Sequence, residues 1–360
     1  MSLDEALSKV LLDTVAIAET QLLPTFEADG RALAESLVSQ MQVPPQDNSS
    51  MDGYALRVAD VRAPGHRLRV TQRIPAGQQG HALQEGEAAR IFTGAPIPPG
   101  ADAVVMQEDT ALVEQGTDGP SKDLPEVIVN TVPTAGQWIR RSGEDIEKGA
   151  VILSQGTRLD PASLGLAASI GVANLKVTRR PKVALFSTGD ELVMPGDIAP
   201  QDMRPGAIFN ANRFFLRALL LRAGCEVTDL GIVPDNLAAT LEVLRNAADQ
   251  HDLILTSGGV SVGEEDHVKP AVMQLGQLNL WQIAMKPGKP FAFGRIRASQ
   301  AAVVPHTYFM GLPGNPVSSF VTFQLLVKPF LMALQGVQKV QPQSYRLQAH
   351  FDLPKPDKRR

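Results

Sequence analysis

The sequence predicts an α/β protein: a mostly parallel, doubly wound core with a β-rich inserted module, a linking domain and an incomplete C-terminal β domain. Three observations predict it. The apolar run 252–255 leads directly into Ser257-Gly258-Gly259-Val260-Ser261-Val262-Gly263-Glu264-Glu265-Asp266. Two similar junctions accompany it, 182–187 into Thr188-Gly189-Asp190-Glu191 and 308–312 into Pro313-Gly314-Asn315-Pro316-Val317-Ser318. Between them lie helical patterns at 211–223 and 237–250, with Phe215, Leu219 and Leu220 spaced for one buried face. The alternation reads as βαβαβ, which gathers the strand-end loops at one sheet edge.

Taken in order, Ser2-Leu3-Asp4-Glu5 matches a capping box for a helix reaching Thr20. Residues 1–20 and 178–334 form the core, and 21–37 with 150–177 form the linking domain. Residues 38–149 have another texture. Short apolar runs at 67–70, 88–92, 103–107 and 126–130 read as strands, punctuated by Pro75-Ala76-Gly77 and Pro98-Pro99-Gly100. Residues 115–124 are polar and read as an exposed hairpin loop. The segment 337–360 reads as the start of a C-terminal β domain.

Composition narrows the function classes. With 360 residues the chain exceeds the size at which one core keeps growing, so several domains are expected. A net charge of −4 and an aromatic content of 5% argue against nucleic acid. Cys225 is the single cysteine, which excludes an internal disulfide and fits a reducing compartment. The opening residues lack the basic start of a signal peptide, and no apolar run approaches the ~20 residues of a membrane span. The expectation is a cytoplasmic protein that binds no membrane.

The glycine-rich loop presents backbone N–H groups as an anion site, although it is neither a Walker A loop nor a dinucleotide fingerprint. The predicted topology brings Asp190, Glu191, Asp235 and Asp266 towards the same edge. Two carboxylates 4 Å apart repel by about 4 kcal/mol at an effective dielectric of 20, so the site calls for a cation. Lys286 and Lys289, in Met285-Lys286-Pro287-Gly288-Lys289-Pro290, are one source and Mg²⁺ is another. The six histidines show no HxH or HExxH spacing, which disfavours zinc.

Two further stretches are richer in polar and turn residues than a structural loop requires: Asp47-Asn48-Ser49-Ser50-Met51-Asp52-Gly53 and Thr93-Gly94-Ala95-Pro96-Ile97-Pro98-Pro99-Gly100. Together with Arg140-Arg141-Ser142-Gly143-Glu144-Asp145, the glycine loop, the Lys-Pro-Gly-Lys turn and the Thr188 and Pro313 junctions, they make seven motifs in consistent order. On these motifs the chain resembles the molybdopterin molybdenumtransferase family, which includes the C-terminal domain of gephyrin.

The resemblance implies a Mg²⁺-dependent reaction of molybdate with adenylylated molybdopterin that yields molybdenum cofactor and AMP. A molybdopterin adenylyltransferase would act upstream. Carried over residue by residue, the catalytic set is Asp52, Thr93, Arg140, Asp145, Glu191, Asp235, Asp266, Lys286 and Lys289, with Glu191, Asp235 and Asp266 as metal ligands. The substrate-binding set is Ser257, Gly258, Gly259, Ser261, Gly263, Pro313, Asn315, Pro316 and Ser318. Arg140 suits a phosphate, and Asp145 suits orienting that arginine or a proton or metal role. The resemblance also implies a homodimer with shared active sites. Gln282 departs from the pattern, standing where a basic residue is expected. Two other readings stay open at this point, a molybdopterin adenylyltransferase and a non-catalytic molybdopterin-binding scaffold.

Overall fold

The computed structural model describes residues 1–113, 125–259, 267–299, 306–342, 344–348 and 350–352. The expected hairpin loop at 115–124 and the site residues Ser261, Gly263 and Asp266 therefore lie outside the described residues. The chain divides into two compact units, one of residues 1–35, 154–164 and 173–360, the other of residues 36–153 and 165–172. The linking segments 21–37 and 150–177 are thus shared between the units. Thr20–Pro24 pairs with Asn174–Thr178 in the first, and Leu37–Val38 pairs with Val151–Leu153 in the second.

The smaller unit is built on a six-stranded sheet of β1 (Gly53–Leu56), β2 (His66–Ile74), β3 (Glu87–Ile91), β4 (Ala103–Met106), β5 (Thr110–Val113) and β6 (Glu126–Val129), in the order β4-β1-β3-β2-β6-β5. Only β2 and β3 run parallel. Successive side chains point to opposite faces of a strand. Leu56, Leu68, Ala88, Val105 and Val127 accordingly fill one core, while Ala55, Ile74, Ala89, Ile91 and Val104 fill another.

In the larger unit the capping box at Ser2 and Glu5 is present and starts α1 (Leu3–Leu12). The helix stops eight residues short of Thr20. Asp13 caps it, and its carbonyl accepts from the Tyr308 hydroxyl and from Arg295, while the Tyr308 oxygen accepts from the Val15 N–H. These contacts hold the chain beyond Leu12 out of the helix that the sequence reading extended to Thr20.

The second sheet consists of β7 (Lys182–Thr188), β8 (Glu226–Val233), β9 (Leu253–Ser257), β10 (Gly276–Gln282), β11 (Pro290–Arg297) and β12 (His306–Leu312), in the order β8-β7-β9-β12-β11-β10. The first four strands of that order are parallel, and β11 and β10 add an antiparallel edge. Val183, Leu185, Leu253, Leu255 and Met310 face one core with α1 and α2 (Ala211–Arg222). Ala184, Phe186, Ile254 and Phe309 face the other with α3 (Leu237–Ala248) and α4 (Val268–Leu275). Helices therefore cover both faces. Cys225, just before β8, is buried, and burial pushes its thiol up to about 12.

One feature departs from the sequence reading. The continuous helical stretch Pro316–Leu334 is long and apolar enough to cross a membrane by length and composition. Ser318, Ser319 and Gln324 interrupt its apolar run in sequence, but folding turns Phe323, Leu326, Val327, Phe330 and Leu331 into the first core. It serves here as a core helix. Among the described residues beyond Leu334 there is no strand.

At the amino edge of this sheet Asp252 accepts from Arg179 Nη1 and Nη2 at 2.6 and 2.8 Å and from the Lys182 N–H at 2.8 Å. Glu19 also pairs with Arg179. The Asp252 hydrogen bonds raise the guanidinium above its ordinary value. Asp252→Ala should leave this mostly buried cation short of its main partner and cost about 3 kcal/mol of stability. Urea denaturation of the variant against wild type checks it.

Candidate functional site

In the larger unit the register sets the site. Ser187 lies opposite Ser257, and Ser257 lies opposite Leu312, so β7, β9 and β12 end side by side. The loops that follow are consequently neighbours, and the Gly258 N–H donates to the Leu312 carbonyl at 3.0 Å. Gly258 and Gly259 have φ of +94° and +66°, a region that disfavours other residues. A Cβ at Gly259 would also meet Val268 Cγ2 at 2.5 Å. This turn therefore requires glycine twice over.

A cleft of about 300 Å³ opens at this edge, lined among others by Thr188, Glu191, Ser257, Gly258, Asn315 and Pro316. Glu191 is exposed, and the Thr188 hydroxyl donates to Asp235 Oδ1 at 3.3 Å. The Asn315 side chain accepts from the Ser318 N–H at 3.0 Å and so caps the following helix, with Pro316 in its first turn. Pro313 and Ser318 are buried, and the Pro313 carbonyl accepts from Ser319.

The lysine turn reaches the same edge by the antiparallel hairpin. Ala292 of β11 pairs with Gly311 near the end of β12, so the turn entering β11 comes out at the carboxyl ends of the parallel strands. Lys286 and Lys289 are exposed there, and the Ile283 N–H donates to the Lys289 carbonyl at 2.8 Å. Gln282 pairs with Pro290 at the mouth of the turn. The structure thus brings Glu191, Asp235, Ser257, Gly258, Gly259, Asn315, Pro316 and the lysine turn to one sheet edge.

Among the described residues no group of three His, Cys, Asp or Glu side chains is placed to hold a metal. Among the described residues the anionic donors at the edge include the carboxylates of Glu191 and Asp235. Magnesium is ordinarily held by one or two carboxylates together with substrate phosphates, and Glu191 and Asp235 fit that use.

The smaller unit carries the other set. Asp52 Oδ1 accepts from the Thr93 N–H at 2.8 Å and from the Thr93 hydroxyl at 2.7 Å. These bonds hold the exposed Asp52 carboxyl below the usual carboxylate range, with Arg90 adding a weaker pull. Asn48–Ser49 connects this pair to the arginine motif. Ser49 exchanges backbone hydrogen bonds with Gly94 and Ala95 on one side, and Asn48 pairs with Arg140 on the other. Arg140 Nη2 donates to both oxygens of Asp145 at 2.6 Å, and Glu144 lies 3.7 Å from its Nε. Asp145 raises the Arg140 guanidinium above its ordinary value. Asp145 accordingly orients Arg140, and the arginine is already engaged by a carboxylate.

Sequence reasoning missed two residues of the cleft, Asn210 and Asn212, which line it beside Ile208 and Phe209. A signal was available: Asn210-Ala211-Asn212 stands immediately before an amphipathic helical pattern, where asparagine caps.

Residues 1–171 match a family model described as the MoeA N-terminal region (domain I and II), and residues 184–333 match a probable molybdopterin binding domain. A molybdopterin molybdenumtransferase of Haemophilus influenzae is 44% identical over 340 residues, covering 93% of this chain and 78% of the relative. One of Nostoc is 36% identical, covering 95% and 76%. A solved molybdopterin biosynthesis moeA protein of Pyrococcus horikoshii superposes with a TM-score of 0.75 at 30% identity, over 94% of this chain and 80% of that one.

The Thr93 bonds make a prediction for acidity. In Thr93→Val the hydroxyl donor is lost, and the Asp52 carboxyl should move up towards its ordinary value. A group with a depressed folded value contributes stability above its unfolded value and loses it as pH falls through the folded one. The variant should therefore keep less of that contribution at neutral pH. Carboxyl-selective NMR titration of both proteins reads the change.

Proposed function

The chain belongs to the molybdopterin molybdenumtransferase family, and from that premise we propose that it inserts molybdenum from molybdate into adenylylated molybdopterin with release of AMP. The observation that carries this reading is the meeting of the glycine turn, two carboxylates and two exposed lysines at one edge of the parallel sheet. Backbone N–H groups and lysine ammonium groups suit a doubly charged oxyanion and a phosphoanhydride. Lys286 and Lys289 would bind the oxyanion as point charges, since a compact ammonium needs no fixed fork geometry. Magnesium would lend positive charge to the phosphoanhydride as it is cleaved, and Glu191 and Asp235 are the described carboxylates that would hold it. Asp266 is the third carboxylate of the proposal.

The smaller unit supports a second part of the site. Asp52, kept ionised by Thr93, suits a group that must remain an acceptor at neutral pH. Arg140, held by Asp145, suits a phosphate approached from its free edge. Neither unit alone carries both sets. We therefore also propose a two-fold homodimer in which the larger unit of one subunit and the smaller unit of its partner complete each site. The protein would act in the cytoplasm on the product of a molybdopterin adenylyltransferase.

The deciding assay supplies adenylylated molybdopterin, molybdate and Mg²⁺ and follows AMP and inserted metal. AMP release that requires molybdate supports the reading. ATP consumption would indicate an adenylyltransferase, and binding without turnover a scaffold. Lys286→Ala and Lys289→Ala should each raise the molybdate concentration for half-maximal AMP release about tenfold, the worth of one charge-assisted hydrogen bond. Saturation at the wild-type concentration would place the lysines away from the oxyanion.

Subunit mixing tests the shared site. Asp52→Ala and Asp266→Ala should each be inactive alone. A mixed dimer would carry both lesions in one site and none in the other, so random exchange should restore roughly a quarter of wild-type activity. Background activity after confirmed exchange would show that each subunit builds its site alone.

A further inference from the structure

The sheet face of the smaller unit that carries the core of Leu56, Leu68, Ala88, Val105 and Val127 changes character at one end. Arg90 of β3 pairs in register with Tyr54 of β1 on one side and with Arg73 of β2 on the other, so the three side chains share that face. Phe92, two residues past Arg90, returns to it. Arg73 Cζ stands 4.5 Å and Arg90 Cζ 4.9 Å from the centre of the Phe92 ring, and Arg90 Cζ is 5.2 Å from that of Tyr54. Both arginines border one open hollow of about 460 Å³. Like charges at directly adjacent positions repel, and the fold does not neutralise this pair. Arg90 donates to neutral acceptors, Gln107 Oε1 at 2.6 Å and the Gly53 carbonyl at 3.5 Å. Arg67 and Arg69 on the same strand as Arg73 pair with Glu126 and Glu87, whereas Arg73, among the described residues, has neither a carboxylate nor a hydrogen-bond acceptor. Its guanidinium donors are therefore all unused.

We propose that Arg73 and Arg90 form a binding site for a tetrahedral oxyanion group, either the phosphate of a small organic ester or the free anion, seated in this hollow. The site is built wholly from the smaller unit and does not rest on the proposed function. Two planar guanidinium groups match the oxygens of a phosphate through paired N–H donors. The Phe92 ring holds each guanidinium by its face, which leaves the donor edges free. No described residue lining the hollow is acidic, so an anion meets no like charge on its wall. Asp52 is pulled weakly by Arg90, but it does not line the hollow, and its Oδ1 is committed to Thr93. Val70, Leu112 and Pro125 add apolar wall beside the arginines, and Leu112 is 57% exposed. An apolar body carried on the phosphate would cover that wall, and a bare oxyanion would leave it open to water.

NMR of the arginine side-chain N–H groups reads the site directly, with Arg73 and Arg90 assigned from the spectra of Arg73→Lys and Arg90→Lys. The probes are phenyl phosphate, inorganic phosphate and phenol. Phenyl phosphate should shift both resonances to saturation, and phenol should shift neither. Inorganic phosphate that saturates only at about tenfold higher concentration would identify the organic ester as the occupant, through the apolar wall. Equal concentrations would identify the free oxyanion. Arg73→Gln should weaken phenyl phosphate about tenfold, the worth of one charge-assisted hydrogen bond. Because it removes an unpaired like charge, its melting temperature without ligand should match or exceed wild type. Three results would overturn the proposal: resonances that neither phosphate shifts, phenol acting as strongly as phenyl phosphate, or unchanged affinity in Arg73→Gln. A melting temperature lowered by Arg73→Gln with affinity intact would likewise assign the arginine to the fold. These titrations involve no turnover, so failure of molybdate-dependent AMP release would leave them standing.

Discussion

The in-register parallel pairing of β7, β9 and β12 is the constraint on which the rest of the site depends. Because Ser187, Ser257 and Leu312 lie side by side, three loops from distant parts of the chain leave the sheet at one level. A slip of one residue would exchange the faces of a strand and send Leu253 and Leu255 into the wrong core. The helices on both faces therefore hold the register. Val183 and Leu185 against one layer and Ala184 and Phe186 against the other leave the strands no alternative pairing that keeps both cores filled.

The two ends of this sheet are electrostatically different. At the amino edge, Arg179 and Asp252 are paired and mostly buried, and they tie the start of β7 to the start of β9. At the carboxyl edge, Glu191, Lys286 and Lys289 are exposed. The first arrangement serves the fold, since its charges are satisfied within the protein. The second keeps its charges available, which is what a ligand of mixed charge needs. The smaller unit shows the same division in miniature. Arg141 pairs with Asp47 at 2.6 Å and braces the turn, whereas Asp52 is held ionised at the surface chiefly by Thr93.

Much of this was legible in the sequence because it is local. Apolar runs followed by Gly-Gly or Pro-Gly-Asn announce a strand that must turn sharply, and the spacing of Phe215, Leu219 and Leu220 announces a helix with one buried side. Ser2 and Glu5 announced the cap of α1. Seven motifs in one order sufficed for the family, since each carries residues that a turn or a charge requires.

Where local pattern had no distant partner to report, tertiary structure decided. The end of α1 at Leu12 depends on Tyr308 and Arg295, nearly 300 positions away. The antiparallel hairpin of β10 and β11 carries the lysine turn to the strand ends, and no spacing in Met285-Lys286-Pro287-Gly288-Lys289 contains that information. The engagement of Arg140 by Asp145 and the meeting of Arg73 and Arg90 on the Phe92 ring are likewise matters of contact. The sequence by itself determined the glycine turns, the strands that lead into them and the helical patterns between them, because those choices depend on the backbone and on side-chain periodicity within a few residues. Only the tertiary structure decided which polar atoms meet and which stay unpaired, because hydrogen bonding is settled by separations of about 3 Å that the order of residues does not encode.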